Sequence, residues 1–179
     1  MHVSKSNIYE AQLTLSLVKA ILATAEKTLS TFQGKIGIVT PYKAQVHHLK
    51  NLFVQSFGIK KEALRSVIQI SSVDAFQGSE KDIMIFNAVR SNNITHSILN
   101  SLGFTSDLRR LNVAITRPKH FLFIIGHEQT LSRDQMWYEF IEHHKVRRGC
   151  YYHLSSPVQS YNEKSLIHIM GKKMPVAQK

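Results

Sequence analysis

Val67-Ile-Gln-Ile-Ser-Ser-Val-Asp-Ala-Phe-Gln-Gly-Ser-Glu-Lys-Asp-Ile-Met-Ile-Phe-Asn-Ala-Val89 is the stretch that decides the fold. It contains two short apolar runs, Val67 to Ser71 and Ile83 to Val89, joined by a polar link. Neither run alternates cleanly between apolar and polar residues, which suits strands covered on both faces rather than a half-solvated sheet. Working outward, Lys35 to Thr40 and Phe121 to Ile125 read as two more buried strands, and Cys150 to Leu154 as a short last one. Helical segments fall between them: Asn7 to about Ser30, Tyr42 to about Gln55, Asp107 to Thr116 and Arg133 to Val146. Strands alternating with helices give an α/β fold with a mostly parallel central sheet flanked by helices.

The first helix carries the plainest local signals. Asn7 is placed to accept hydrogen bonds from a helix start, and Glu10 three residues on completes a capping-box pattern. Ile8, Ala11, Leu15, Val18, Leu22, Ala25 and Leu29 then recur at steps of three and four, predicting one buried face, with Gly34 as the stop beyond it.

Composition sets the outer bounds. The 179 residues suffice for one domain with a core; 43% are hydrophobic and 20% charged, as in ordinary soluble proteins. No apolar run approaches the ~20 residues that span a bilayer, and no signal sequence opens the chain, so no membrane association is expected. A single cysteine, Cys150, forms no internal disulfide, which fits an intracellular protein. The net charge of +11 favours a polyanionic partner, but seven of the bases and one acid lie from Lys145 onward. The body before it therefore carries about half of the excess. Beyond Ser155 periodicity fades to Leu166, Ile167 and Ile169. The reading is a domain over 1–154 and a basic flexible tail or linker over 155–179, with a short turn of helix at most.

Polar clusters are expected at the carboxyl ends of the strands, where parallel sheets collect ligands. Thr40-Pro41-Tyr42-Lys43 follows one strand, and Arg90-Ser91-Asn92 another. Between two strands, Phe76, Gln77 and Gly78 form a tight turn before Glu80. That carboxylate suits two hydroxyls of a ribose, or a plain ion pair with Lys81. Arg117, directly before Pro118, falls at a helix end because proline disfavours helical geometry in the residue before it. Its guanidinium, projecting from the domain edge, suits the charge on a transferring phosphoryl group. A basic, solvated helix end is the alternative. His47-His48 and His143-His144 point their members about 100° apart on a helix, so no metal site is expected. Trp137, Tyr138, Phe140 and Ile141 read as core-packing residues.

Together these segments resemble the second RecA-like domain of superfamily 1B helicases, the group that includes senataxin and the nonsense-mediated-decay helicase. The likeness runs from about Ser4 to Gly149. Its parts are Ser4, Asn7, Glu10 and Ala11 as Ser-x-x-Asn-x-x-Glu-Ala; Ile36 to Tyr42; Val73 to Asp82, the family's motif V; Val89 to Asn92; and Arg109 to Lys119, its motif VI. Leu131-Ser132 and Trp137 also fall in place. Pro118 departs from the family's alanine and Leu108 from its proline.

The resemblance implies a RecA-like P-loop NTPase fold and a C-terminal motor domain of an ATP-dependent DNA or RNA helicase. It implies ATP contacts at Gln77, Gly78, Glu80 and Arg117, with Arg117 as the catalytic arginine finger. It also implies a single-strand track along Thr40, Pro41, Tyr42, Ser72, Asp74, Arg90 and Asn92. No two of the eight glycines have P-loop spacing before Lys and Ser/Thr, and the acidic Mg²⁺ motif is missing. The expectation is therefore half an active site, inactive alone, with ATP and Mg²⁺ held mainly by an upstream RecA-like domain of the parent protein. A nuclear location is expected, and a non-catalytic nucleic-acid or protein-binding module is the competing reading.

Overall fold

The computed structural model describes residues 4–76, 78–89, 108–147, 151–154 and 161–171. Four strands, β1 (Ile36–Thr40), β2 (Ile68–Ser72), β3 (Lys81–Asn87) and β4 (Pro118–Ile125), form one sheet in the order β2-β1-β3-β4. Every pairing is parallel. The α/β class and mostly parallel sheet expected from the apolar runs are both present.

Both faces of this sheet are covered, and each strand divides its side chains between them. Ile36 and Ile38 of β1 and Ile83 and Ile85 of β3 join one core with Ala11, Val18 and Leu22 of α1 (Ile8–Thr24) and with Leu49 and Phe53 of α2 (Lys43–Phe57). Val39, Met84 and Phe86 face the other way, against Leu111 and Ala114 of α4 (Leu108–Ile115) and Trp137 and Ile141 of α6 (Gln135–Lys145). Trp137 is 1% exposed and packs against Phe86, so its expected place in the core holds. Burying each of these large apolar groups stabilises the fold by roughly 1.5–3 kcal/mol. His144 stacks on Phe140 and its Nδ1 lies 2.7 Å from the Phe140 carbonyl oxygen, a local role in helix α6.

The link from β2 to β3 is short for a parallel crossover. It passes over β1 with a single 3₁₀ turn, Asp74–Phe76, in place of a full helix. Phe76 is fully buried. A Cβ at Gly37 of β1 would lie 2.8 Å from the Phe76 ring and 2.6 Å from the Met84 sulfur. A side chain at position 37 would push the crossover off the sheet, so the aromatic in the expected polar turn is a core anchor.

Several expectations shift. Helix α1 ends at Thr24, not near Ser30, because Glu26 takes a left-handed φ of 51° and Lys27 N–H bonds back to the Leu22 carbonyl. That is a Schellman stop with a glutamate where glycine is usual. Gly34, at φ 71°, instead ends the turn before β1. A helix that the sequence reading missed, α3 (Lys61–Val67), leads into β2. Residues 151–154 are not a strand, and Cys150 lies outside the described residues. Their place is held by side chains: Tyr151 hydroxyl bonds to Glu128 of α5 (Glu128–Leu131), and Lys145 Nζ lies 2.6 Å from the same carboxylate. The segment expected as a flexible tail contains α7 (Glu163–Gly171), which packs on α1 with Leu166 buried in the first core. The core therefore extends past the boundary expected at residue 154. No helix among the described residues is long and apolar enough to cross a membrane.

Candidate functional site

The sheet separates the candidate residues into two groups at its opposite ends. At the carboxyl ends of the strands, Thr40 and Ser72 are register partners, closing β1 and β2. At the amino ends, Lys81 pairs with Pro118, and Lys81 N–H donates to the Arg117 carbonyl at 3.2 Å. Glu80 and Arg117 directly precede that pair, so the two residues sit where β3 and β4 begin. The expectation that every cluster lies at a carboxyl end is thus corrected. The cluster from Ser71 to Asp82 spans the sheet, because the short crossover carries the chain from one end of it to the other.

Exposure sorts the candidates further. Glu80 and Gly78 are exposed, and Gly78 adopts φ 81°, a left-handed conformation that favours glycine at this turn. Arg117 is half-buried. Its Nε is covered and has no hydrogen-bond partner among the described residues, so the guanidinium does not project freely as expected. The reason is that Pro118 begins strand β4 at once, which draws the Arg117 backbone into the sheet. At the other end, Asp74 is exposed and Pro41 and Ser72 are half-buried. Thr40 and Tyr42 are buried, so neither side chain is open to a ligand; the Thr40 hydroxyl also has no partner among the described residues. Gln77, Arg90 and Asn92 lie outside the described residues.

The densest polar chemistry lies between α1, α2 and the end of β3, and the sequence reading missed most of it. Asn7 Oδ1 caps α1 by accepting the Glu10 N–H at 3.1 Å. Its own N–H and carbonyl both bond to the side chain of Gln45 on α2, at 2.7 and 3.1 Å. Gln45 Nε2 also donates to Asn87 Oδ1 at 2.8 Å, and Asn87 Nδ2 donates to Thr14 Oγ1 at 2.8 Å. Gln45, Asn87 and Thr14 are each 0% exposed. Three amide side chains buried without loss of hydrogen bonds is how such groups are tolerated in a core.

Glu10 departs from the capping box. Its carboxyl does not return to the Asn7 N–H; Oε2 accepts the Val89 N–H at 2.7 Å and Oε1 accepts from Asn7 Nδ2 at 3.2 Å. Burial pushes its pKa up to about 8, against the lowering effect of the Val89 bond. Val89 stands at φ 72°, a conformation that costs a β-branched residue on the order of 1–3 kcal/mol and persists only where surroundings hold it. Asn7 Nδ2 holds the same residue by its carbonyl at 3.3 Å. A polar Asn87 inside the apolar run Ile83 to Val89 was the visible signal for this network.

Comparison with known proteins gives a consistent set. The AAA domain family matches residues 1–129. Helicase sen1 of Schizosaccharomyces pombe is 38% identical over 140 residues, 78% of this chain and 8% of that protein. Regulator of nonsense transcripts 1 of Caenorhabditis elegans is 38% identical over 156 residues, 84% of this chain and 14% of that protein. Probable helicase senataxin of Mus musculus is 35% identical over 173 residues, 97% of this chain and 6% of that protein. The chain thus spans a small part of the length of each.

Proposed function

The chain belongs to the superfamily 1 helicases of the senataxin and nonsense-mediated-decay type, as a C-terminal RecA-like helicase domain, and from that premise we propose that it is the second motor domain of an ATP-dependent nucleic-acid helicase. In this reading it completes the ATP site with Arg117 and Glu80 and contributes one wall of a single-strand track. The observation that carries the reading is the division of candidates between the two ends of one sheet. Glu80 and Arg117 precede paired residues of β3 and β4, while Ser72 and Pro41 lie at the opposite end. A motor that couples hydrolysis to stepping needs its nucleotide and its strand held by one rigid body at separate places.

The residues present fit part of a nucleotide. An exposed carboxylate at Glu80 suits ribose hydroxyls, and a guanidinium with an unused Nε at Arg117 suits a phosphate oxygen. Among the described residues no group of His, Cys, Asp and Glu converges as a metal site. The phosphate cradle and Mg²⁺ ligands are accordingly assigned to an upstream motor domain, the expected partner along with single-stranded DNA or RNA. When bound, Mg²⁺ and ATP supply the scissile phosphoanhydride. Arg117 adds positive charge where charge develops on the γ-phosphate.

The test compares steady-state ATP hydrolysis by this chain alone and by a protein joining it to an upstream P-loop domain, each with and without oligouridylate. The expected result is no turnover above background for the chain alone and strand-stimulated turnover for the joined protein. Strand binding without any turnover in the joined protein would favour a non-catalytic binding module.

A further inference from the structure

Two loops enter the candidate strand track, and the structure ties the ends of both to one short segment, Ser4 to Thr14. The first loop, Thr40 to Tyr42, runs into α2. There Ser4 Oγ accepts the Ala44 N–H at 2.8 Å, a cap that Tyr42 does not supply, and Gln45 is clasped by the Asn7 backbone. The second loop, Arg90 to Asn92, begins directly after Val89. Glu10 holds the Val89 N–H and Asn7 its carbonyl, while Asn87 two residues earlier is bound to Gln45 and Thr14. The pattern Ser-x-x-Asn-x-x-Glu-Ala thereby acquires a physical meaning at each place. Ser4 caps α2, Asn7 caps α1 and joins it to α2, Glu10 reaches β3, and Ala11, with no exposed surface, lets α1 lie close on the sheet.

We propose that Glu10 is a positioning residue for nucleic-acid binding, which fixes Val89 in its left-handed conformation and so aims the Arg90-Ser91-Asn92 segment relative to the Thr40–Tyr42 loop. The proposal rests on the reading that Arg90 and Asn92 contact the strand. Stability alone does not account for the arrangement. A glycine at position 89 would take φ 72° without strain, and a serine or aspartate cap would satisfy α1 without burying a glutamate side chain. A buried carboxyl holding a strained β-branched residue fixes direction at a cost in stability, and such strain gathers where geometry matters for binding. The pKa raised to about 8 agrees with a carboxyl held neutral inside this brace at neutral pH.

The experiment uses the 179-residue chain, amide hydrogen exchange at Val89, and binding of labelled oligothymidylate and oligouridylate. Glu10→Ala is expected to lose protection of the Val89 amide and to weaken binding roughly tenfold, the scale of one deleted buried hydrogen bond. Glu10→Gln keeps an oxygen for the Val89 N–H and stays within about twofold of the original. In a background carrying Arg90→Ala and Asn92→Ala, Glu10→Ala should weaken binding no further, because its effect passes through that segment. Unchanged Val89 protection, or an equal loss of affinity in both backgrounds, overturns the proposal. If Arg90→Ala with Asn92→Ala leaves affinity unchanged, the reading of that segment as a strand contact fails and the binding role of Glu10 falls with it. The Val89 amide then still decides separately whether Glu10 holds the backbone. Should Glu10→Ala not fold, Glu10→Asp, one methylene short of Val89, carries the same expectations.

Discussion

The two ends of the sheet are built on different principles. At the carboxyl end, Asn7, Glu10, Thr14, Gln45 and Asn87 satisfy one another inside the protein, and even a strained backbone at Val89 is held from two sides. At the amino end of β3 and β4, Glu80 stands exposed and the Arg117 Nε is covered without a partner among the described residues. The first end is complete within this chain. The second presents unspent hydrogen-bonding capacity of both charges on adjoining residues, the condition of a surface built to be finished by something else. Completeness at one end and incompleteness at the other distinguish a preorganised binding wall from half of a shared site.

The sharpest way to break this contrast is Arg117→Ala in a protein joining the chain to an upstream motor domain. Turnover of ATP is expected to fall by roughly 10³ or more, the scale of a lost arginine finger. Arg117→Lys should recover little of it, since an ammonium lacks the planar fork. Unfolding free energy of the same variants should move by no more than about 0.5 kcal/mol, since no printed side-chain bond is lost. Paired turnover and urea melts measure both quantities. A variant that melts early yet turns over normally would make Arg117 a structural residue and erase the difference between the ends.

A second comparison weighs the ends by stability alone. Asn87→Leu strands Gln45 Nε2 and the acceptor side of Thr14 Oγ1 in a dry core, and is expected to cost about 2–3 kcal/mol. Glu80→Ala, exposed at the other end, should stay within about 0.5 kcal/mol. Urea unfolding of the two variants beside the original chain gives the numbers. Equal losses would show that the carboxyl-end network is no more consequential for folding than the open edge opposite.

What could be read from the sequence follows the same division. The strands were visible because Ile36, Ile38, Ile83 and Ile85 face one core while Val39, Met84 and Phe86 face the other, which removes the polar alternation of a one-sided sheet. The Asn7 cap was visible because capping is local. Helix α3 was not, because only Leu64 of its seven residues is buried and periodicity had nothing to report. Helix α7 escaped for a related reason, its docking being decided by α1 far away in sequence. The candidate residues were named from motifs, but their sorting between two ends depended on the crossover being one 3₁₀ turn long. The partners of Glu10 were hidden too: Val89 lies 79 positions away, and no spacing rule reaches that far.

The smallest effect, and the one that probes the carboxyl-end brace most directly, is the pH dependence of folding. Glu10 titrates near 8 when folded, against an ordinary value of 4.5, because burial disfavours its charged form. Between those values the folded chain holds a proton that the unfolded chain has released. The contribution of Glu10 to stability is therefore whole below about pH 4.5 and is lost as pH rises through 8. Within that window the slope is a decrease of at most about 1.4 kcal/mol per pH unit. Other shifted groups act elsewhere. Glu128 is held below its ordinary range by its bonds from Lys145 and Tyr151, so its contribution is lost only as pH falls through still more acidic values. Tyr151 is pushed up to about 12, beyond the window's upper edge. The difference between wild type and Glu10→Gln at each pH isolates the single carboxyl, since every group common to both cancels. Glu10→Gln should become the relatively more stable of the two as pH rises from 5 to 8. Two parallel profiles would mean that Glu10 carries its charge inside the core at neutral pH, and that the brace is ionic where its geometry reads as a neutral carboxyl among amides.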